Sequence, residues 1–78
     1  SSDCTLNYWV EKSGEYYKPY FQKKCNRGLS LDYALYYKET DELFYEGHLY
    51  FTSNSESPST GMYAKAPIRI VIKSKRWE

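Results

Sequence analysis

The stretch Leu29-Ser30-Leu31-Asp32-Tyr33-Ala34-Leu35-Tyr36-Tyr37-Lys38 decides the fold class. Leu29, Leu31, Tyr33, Leu35 and Tyr37 occupy every second position, with Ser30, Asp32, Ala34, Tyr36 and Lys38 between them. Successive side chains of a strand point to opposite faces, so this spacing predicts a strand with one buried and one polar face. A helix capped by Ser30 and running through Glu39 is the competing reading. It would gather Tyr33, Tyr36 and Tyr37 but leave Leu29, Leu31 and Leu35 off any single stripe, so the strand is preferred.

The same period continues outward. Lys38-Glu39-Thr40-Asp41-Glu42 reads as a turn, and Leu43, Tyr45, Gly47, Leu49 and Phe51 then alternate with Phe44, Glu46, His48 and Tyr50. Gly47 inside that run predicts a bulge or bend, or a split into two short strands. Upstream, Leu6, Tyr8 and Val10 alternate with Thr5, Asn7 and Trp9. Residues 11–15 read as a turn in which Gly14 can take positive φ, and Tyr16 to Lys24 as the return strand. Pro19 has no N–H for a ladder, which argues for an edge or bulged strand there. Downstream, Ser-rich Thr52 to Gly61 reads as a mobile loop. Ile68-Arg69-Ile70-Val71-Ile72, running into Lys73–Trp77, reads as the last strand, and its Ile/Val density points to the middle of a sheet. Five or six short strands without a repeat predict one all-β domain over residues 1–78, a small sandwich or barrel.

A chain of 78 residues buries little surface for its size and needs a staple. Cys4 and Cys25 are the only cysteines, with no Cys-x-x-Cys and no Cys/His cluster, so no metal site or cofactor is expected. They read as one disulfide; the alternative is two buried thiols of a cytosolic protein. The start Ser1-Ser2-Asp3-Cys4 lacks Met and a signal peptide, so a mature secreted protein is expected. No apolar run reaches the roughly 20 residues of a spanning helix, and membrane insertion is not expected.

Charge nearly cancels at net +1 but is unevenly spread: net +2 over 1–28, −5 over 29–64 and +4 over 65–78. Either one sheet is basic and the other acidic, or the charges interleave in space. Catalytic chemistry finds little support. His48 is the only histidine, no nucleophile elbow or phosphate loop is present, and no catalytic residue is assigned. Glu46, His48 and Arg69 are what a metal-free ribonuclease needs as base, acid and phosphate cation. They faintly resemble the central strands of small fungal guanyl-specific ribonucleases, but the second catalytic histidine of those enzymes has no counterpart here. Two basic-aromatic patches, Lys18/Tyr20/Lys23/Lys24/Arg27 and Lys73/Lys75/Arg76/Trp77, fit a nucleic-acid platform. Net charge of only +1 argues against it.

The ten tyrosines are the remaining feature. Tyr16 and Tyr20 alternate with Tyr17 and Phe21, so both faces of that strand are aromatic although only one can fill a core. Surplus tyrosines suit a binding surface.

A mature length near 80, a Cys just before the first strand in Asp3-Cys4-Thr5-Leu6, a short hairpin, successive alternating strands and one disulfide are similar to the MAX effectors. These are small secreted proteins of plant-pathogenic fungi. The resemblance implies a six-stranded antiparallel β-sandwich of two three-stranded sheets. It also implies a non-enzymatic effector, extracellular or translocated into the host cell, that binds a host protein, in some members a small metal-binding-like domain. In that class the second Cys falls later in the chain than Cys25 does. Binding through an added edge strand would place the contact on Tyr16, Tyr17, Lys18, Tyr20, Phe21 and Lys23. Tyr17 and Phe21 would anchor, while Lys18 and Lys23 would steer and deter promiscuous pairing. A secreted enzyme inhibitor would look the same in sequence.

Overall fold

The computed structural model describes residues 3–78; Ser1 and Ser2, on which the processed-start reading leans, lie outside them. Six strands run in order: β1 (Thr5–Ser13), β2 (Tyr16–Lys24), β3 (Leu29–Tyr37), β4 (Leu43–Phe51), β5 (Ser59–Thr60) and β6 (Ile68–Trp77). They form two antiparallel three-stranded sheets, sheet A in the order β1-β2-β5 and sheet B in the order β4-β3-β6. No described residue is helical.

Strand β3 follows its alternation. Leu29, Leu31, Tyr33 and Leu35 are all buried, and Asp32 faces solvent. Phe21 from sheet A meets Tyr33 from sheet B at 4.6 Å between ring centroids, and Phe51, Ala64 and Ile68 complete the buried cluster. Leu6, Val10 and Tyr17 pack on it from sheet A, and Tyr37, Phe44, Leu49, Ile70, Ile72 and Trp77 from sheet B. The core is therefore the aromatic-rich space between two sheets.

Several expectations need correction. The first turn is tighter than residues 11–15: β1 and β2 are closed by Gly14 and Glu15 alone, with Ser13 opposite Tyr16. Gly14 has φ 61°, and positive φ at the first of two turn residues fits the hairpin geometry that matches strand twist. Strand β2 is not an edge but the middle of sheet A. Pro19 is tolerated because a residue's N and C=O point to the same side of its strand. The Pro19 carbonyl accepts from Thr60 Oγ1 (2.9 Å) and Gly61 N (3.3 Å), so its missing N–H faces the short β5 rather than β1.

The Ser-rich stretch is not merely a loop, since Ser59 and Thr60 pair with Phe21 and Tyr20 as β5. Strand β6 ends sheet B, and β3 is its centre. The bulges also lie elsewhere than expected. Phe44 is the extra residue where Leu35 pairs with Tyr45 and Tyr36 with Leu43; Lys73 is the extra residue between Ser74 and Ile72. The first bulge turns Phe44 onto the core beside Tyr37 and leaves Leu43 half exposed. Gly47 is instead a gap filled by a ring: a Cβ there would lie 2.5 Å from Tyr33 Cζ.

Cys4 and Cys25 are joined by a disulfide at the open end of the β1–β2 hairpin, one step beyond the Thr5–Lys24 pair. Such a bond is consistent with an extracellular protein.

Candidate functional site

The residues expected to contact a partner separate by parity. Tyr17, Phe21 and Lys23 point inward from β2; Tyr16, Lys18 and Tyr20 point outward. Phe21 has no exposed surface and Tyr17 packs on the core, so neither serves as an outward anchor. Lys23 is also fully buried and steers nothing. Its Nζ donates to the carbonyls of Cys25 (2.9 Å) and Ser53 (3.0 Å), tying the disulfide end of the hairpin to the loop after β4.

The outward half is joined by residues outside the expected contact set. Trp9 lies opposite Tyr20 on β1, and the two rings stack at 5.7 Å between centroids with 15° between planes. Trp9 Nε1 donates to Glu11 Oε2 at 2.8 Å. On the other side of β2, Tyr17 and Ala64 exchange backbone hydrogen bonds of 2.7 and 3.0 Å. That bridge sets Tyr63 beside Lys18 and Lys65 beside Tyr16. Lys18 Nζ sits over the Tyr63 ring at 4.6 Å, Lys65 Nζ over the Tyr16 ring at 5.7 Å, and Tyr16 and Tyr63 stand 6.3 Å apart.

The result is a small checkerboard of tyrosine and lysine on the solvent side of sheet A, continued by the Trp9–Tyr20 stack. Tyr16 and Tyr63 are 40% and 44% exposed, and Met62 beside them 47%, so this apolar area is not consumed by the core. Lys18, Lys24 and Lys65 are the face's cations, with Glu11 against them. Between Thr60 and Ala64, residues 61–63 span only Lys18 and Pro19 of β2, and this extra residue carries Met62 and Tyr63 outward. Trp9 was legible as lying opposite Leu6 and Val10. Tyr63 and Lys65 were not, because nothing in the sequence pairs Ala64 with Tyr17.

The outer face of sheet B is organised differently. Asp32 Oδ1 meets His48 Nδ1 at 2.7 Å and Asp32 Oδ2 accepts from Ser74 Oγ at 2.9 Å. The hydrogen bond from His48, then that from Ser74, hold the Asp32 carboxyl below its ordinary range. Lys73 Nζ pairs with Glu46 Oε2 at 2.7 Å, and that bond and charge raise the Lys73 pKa. Tyr33 and Gly47 help line the shallow groove there, about 570 Å³ in volume.

This arrangement differs from a catalytic triad, because the carboxylate rather than the imidazole lies between the other two groups. Glu46 and His48 do share the outer side of β4. Arg69 is engaged elsewhere, 2.5 Å from Asp41 and over the Tyr36 ring, so the three do not assemble as the ribonuclease reading required. The basic patches are reduced: Lys23 is buried, Trp77 packs on the core, Lys73 pairs with Glu46 and Arg27 Nε donates to the Glu78 carbonyl, which leaves Lys18, Tyr20 and Lys24 of the first on the outer face of sheet A. Basic β6 lies beside β3, with acidic β4 on the other side of β3, so charges interleave rather than dividing by sheet.

No family model, curated protein or solved structure matches this chain. The geometry itself is what argues for a function.

Proposed function

We propose that this is a secreted binding module that engages an acidic protein partner through the outer face of sheet A. The carrying observation is the Tyr16–Lys18–Tyr63–Lys65 checkerboard, whose aromatic area stays exposed while its lysines sit over the rings. Tyrosine and tryptophan give large, rigid contact area at small entropic cost, and such residues dominate interface energetics. The lysines steer carboxylates to the face and fix their register. The resemblance to secreted fungal effectors supplies the setting, a host protein as partner. A partner that is an enzyme inhibited by this contact belongs to the same reading.

Affinity capture from host extract with the wild-type protein and with the Tyr16→Ser/Tyr63→Ser double variant tests it. Loss of two central aromatic contacts should weaken capture by more than about tenfold. Tyr50→Ser, on sheet B, should leave it unchanged. Equal capture by the double variant would refute the proposal. Salt-steep binding of single-stranded RNA on the same face would point instead to nucleic acid.

A further inference from the structure

We infer that β4 pairs with the β4 of a second copy, in one register, to make a continuous six-stranded sheet. An open edge offers unpaired N–H and C=O groups, and proteins blunt edges with charge, proline, bulges or short strands. Sheet A ends on β1, which carries Glu11 and Lys12, and on β5, which is two residues long. Strand β6 has the Lys73 bulge followed by Lys75 and Arg76. Strand β4 contains no Lys, Arg or Pro, and past its Phe44 bulge the seven residues Tyr45–Phe51 run in unbroken register with β3. No described strand lies beyond it.

The backbone orientation of β4 follows from its neighbours. Tyr37 N donates to Glu42 O on the β4 side of β3, whereas Lys38 N donates to Pro67 O and Gly28 O accepts from Glu78 N on the β6 side. Odd residues of β3 thus address β4 and even ones address β6. Their partners Tyr45, Gly47, Leu49 and Phe51 turn their backbone groups inward. Glu46, His48 and Tyr50 therefore present N–H and C=O to the open side.

The sequence of β4 is nearly self-complementary about Gly47. In Leu43-Phe44-Tyr45-Glu46-Gly47-His48-Leu49-Tyr50-Phe51, antiparallel pairing of two copies centred on Gly47 sets Glu46 against His48 and Tyr45 against Leu49, as far as the Phe44 bulge. Glu46 and His48 both have outward backbone groups, so their pair is the hydrogen-bonded kind. A shift of two residues one way opposes Glu46 to Glu46, and the other way opposes His48 to His48. The first sets two carboxylates against each other, and the second exchanges both Glu46–His48 pairs for Glu46–Tyr50, so the Gly47-centred register is selected. Glu46 already holds Lys73 and His48 already meets Asp32, so the junction sets Lys73, Glu46, His48 and Asp32 in a row across the two copies. The self-complementary contact is the isologous type expected of a two-fold dimer. Both checkerboard faces of sheet A stay open in it.

Sedimentation equilibrium combined with amide hydrogen exchange tests this on the full chain. The expected result is a dimer in which the amides of Glu46 and His48 exchange at least about tenfold more slowly than in dilute monomer. Glu46→Pro removes an outward N–H without touching the ladder to β3, so it should give a folded monomer. Should it fail to fold, Glu46→Lys removes the carboxylate facing His48 of the second copy and sets a cation against its own Lys73, and should also give a monomer. Three results would each overturn the inference. These are a wild type that stays monomeric at its solubility limit, a dimer whose Glu46 and His48 amides exchange freely, or a folded Glu46→Pro or Glu46→Lys protein that still dimerises. A strand donated by a different protein is the alternative occupant, and it would appear as the first of these.

Discussion

Replacing Gly47 by alanine should destabilise the fold, although alanine is the better strand residue. A Cβ at Gly47 would lie 2.5 Å from Tyr33 Cζ, 2.6 Å from its hydroxyl and 2.8 Å from Tyr45 Cε2. The Tyr33 ring cannot step aside freely. It is 3% exposed, packs on Phe21 at 4.6 Å and Tyr45 at 6.2 Å, and its hydroxyl end also fills the space a Cβ of Gly61 would take. Overpacking of this kind costs about 1–3 kcal/mol. Relief of glycine's unfolded-state entropy returns roughly 0.5–1 kcal/mol. Taking the middle of each range, the net expectation is a loss of about 1 kcal/mol, or a Tm drop of roughly 4–8 °C for a domain this small. Thermal and urea unfolding by circular dichroism measure it. A second variant, Tyr33→Leu, removes the obstructing ring end, and in its background Gly47→Ala should cost little. A Gly47→Ala protein as stable as wild type, or an equal loss in both backgrounds, would refute the packing argument.

Three further outcomes are expected. Lys23→Met should lower stability by about 2 kcal/mol in urea unfolding, because the Cys25 and Ser53 carbonyls lose their buried donor. Cys4→Ser/Cys25→Ser, opening a loop with sequence separation 21, should cost about 3 kcal/mol, read from the unfolding midpoint with and without reductant. The Asp32 carboxyl should titrate below 3.8 by NMR, and His48→Ala should move it upward. Because its folded pKa is depressed, the stability it contributes is complete above 3.8 and fades as pH falls through the folded value.

The strand class was legible wherever one face is plainly apolar. Leu29, Leu31, Tyr33 and Leu35 had polar or small residues between them, and β3 lies as that spacing demands. Strand β2 was readable as a strand but not as two faces, because Tyr16, Tyr17, Tyr20 and Phe21 put aromatics on both; burial of Tyr17 and Phe21 follows only from what stands opposite. Pro19 misdirected the reading, since proline excludes a hydrogen bond on one side only, and that side meets the two residues of β5. The Ile-rich β6 looked central because its inner face is rich in branched residues, yet a strand with one buried face needs the same residues at an edge. Of the candidate face, Tyr16, Lys18 and Tyr20 were visible. Tyr63 and Lys65 were hidden in a segment of no regular period, where a single bridge at Ala64 positions them.

The most direct test of the proposed function is photo-crosslinking with benzoylphenylalanine placed singly at Tyr16, Tyr63 or Tyr50 in host extract. If the outer face of sheet A is the binding surface, positions 16 and 63 crosslink one common protein, unlabelled wild type competes it away, and position 50 does not capture it. Crosslinks to a specific protein from position 50 alone, or none from 16 and 63, would contradict the account.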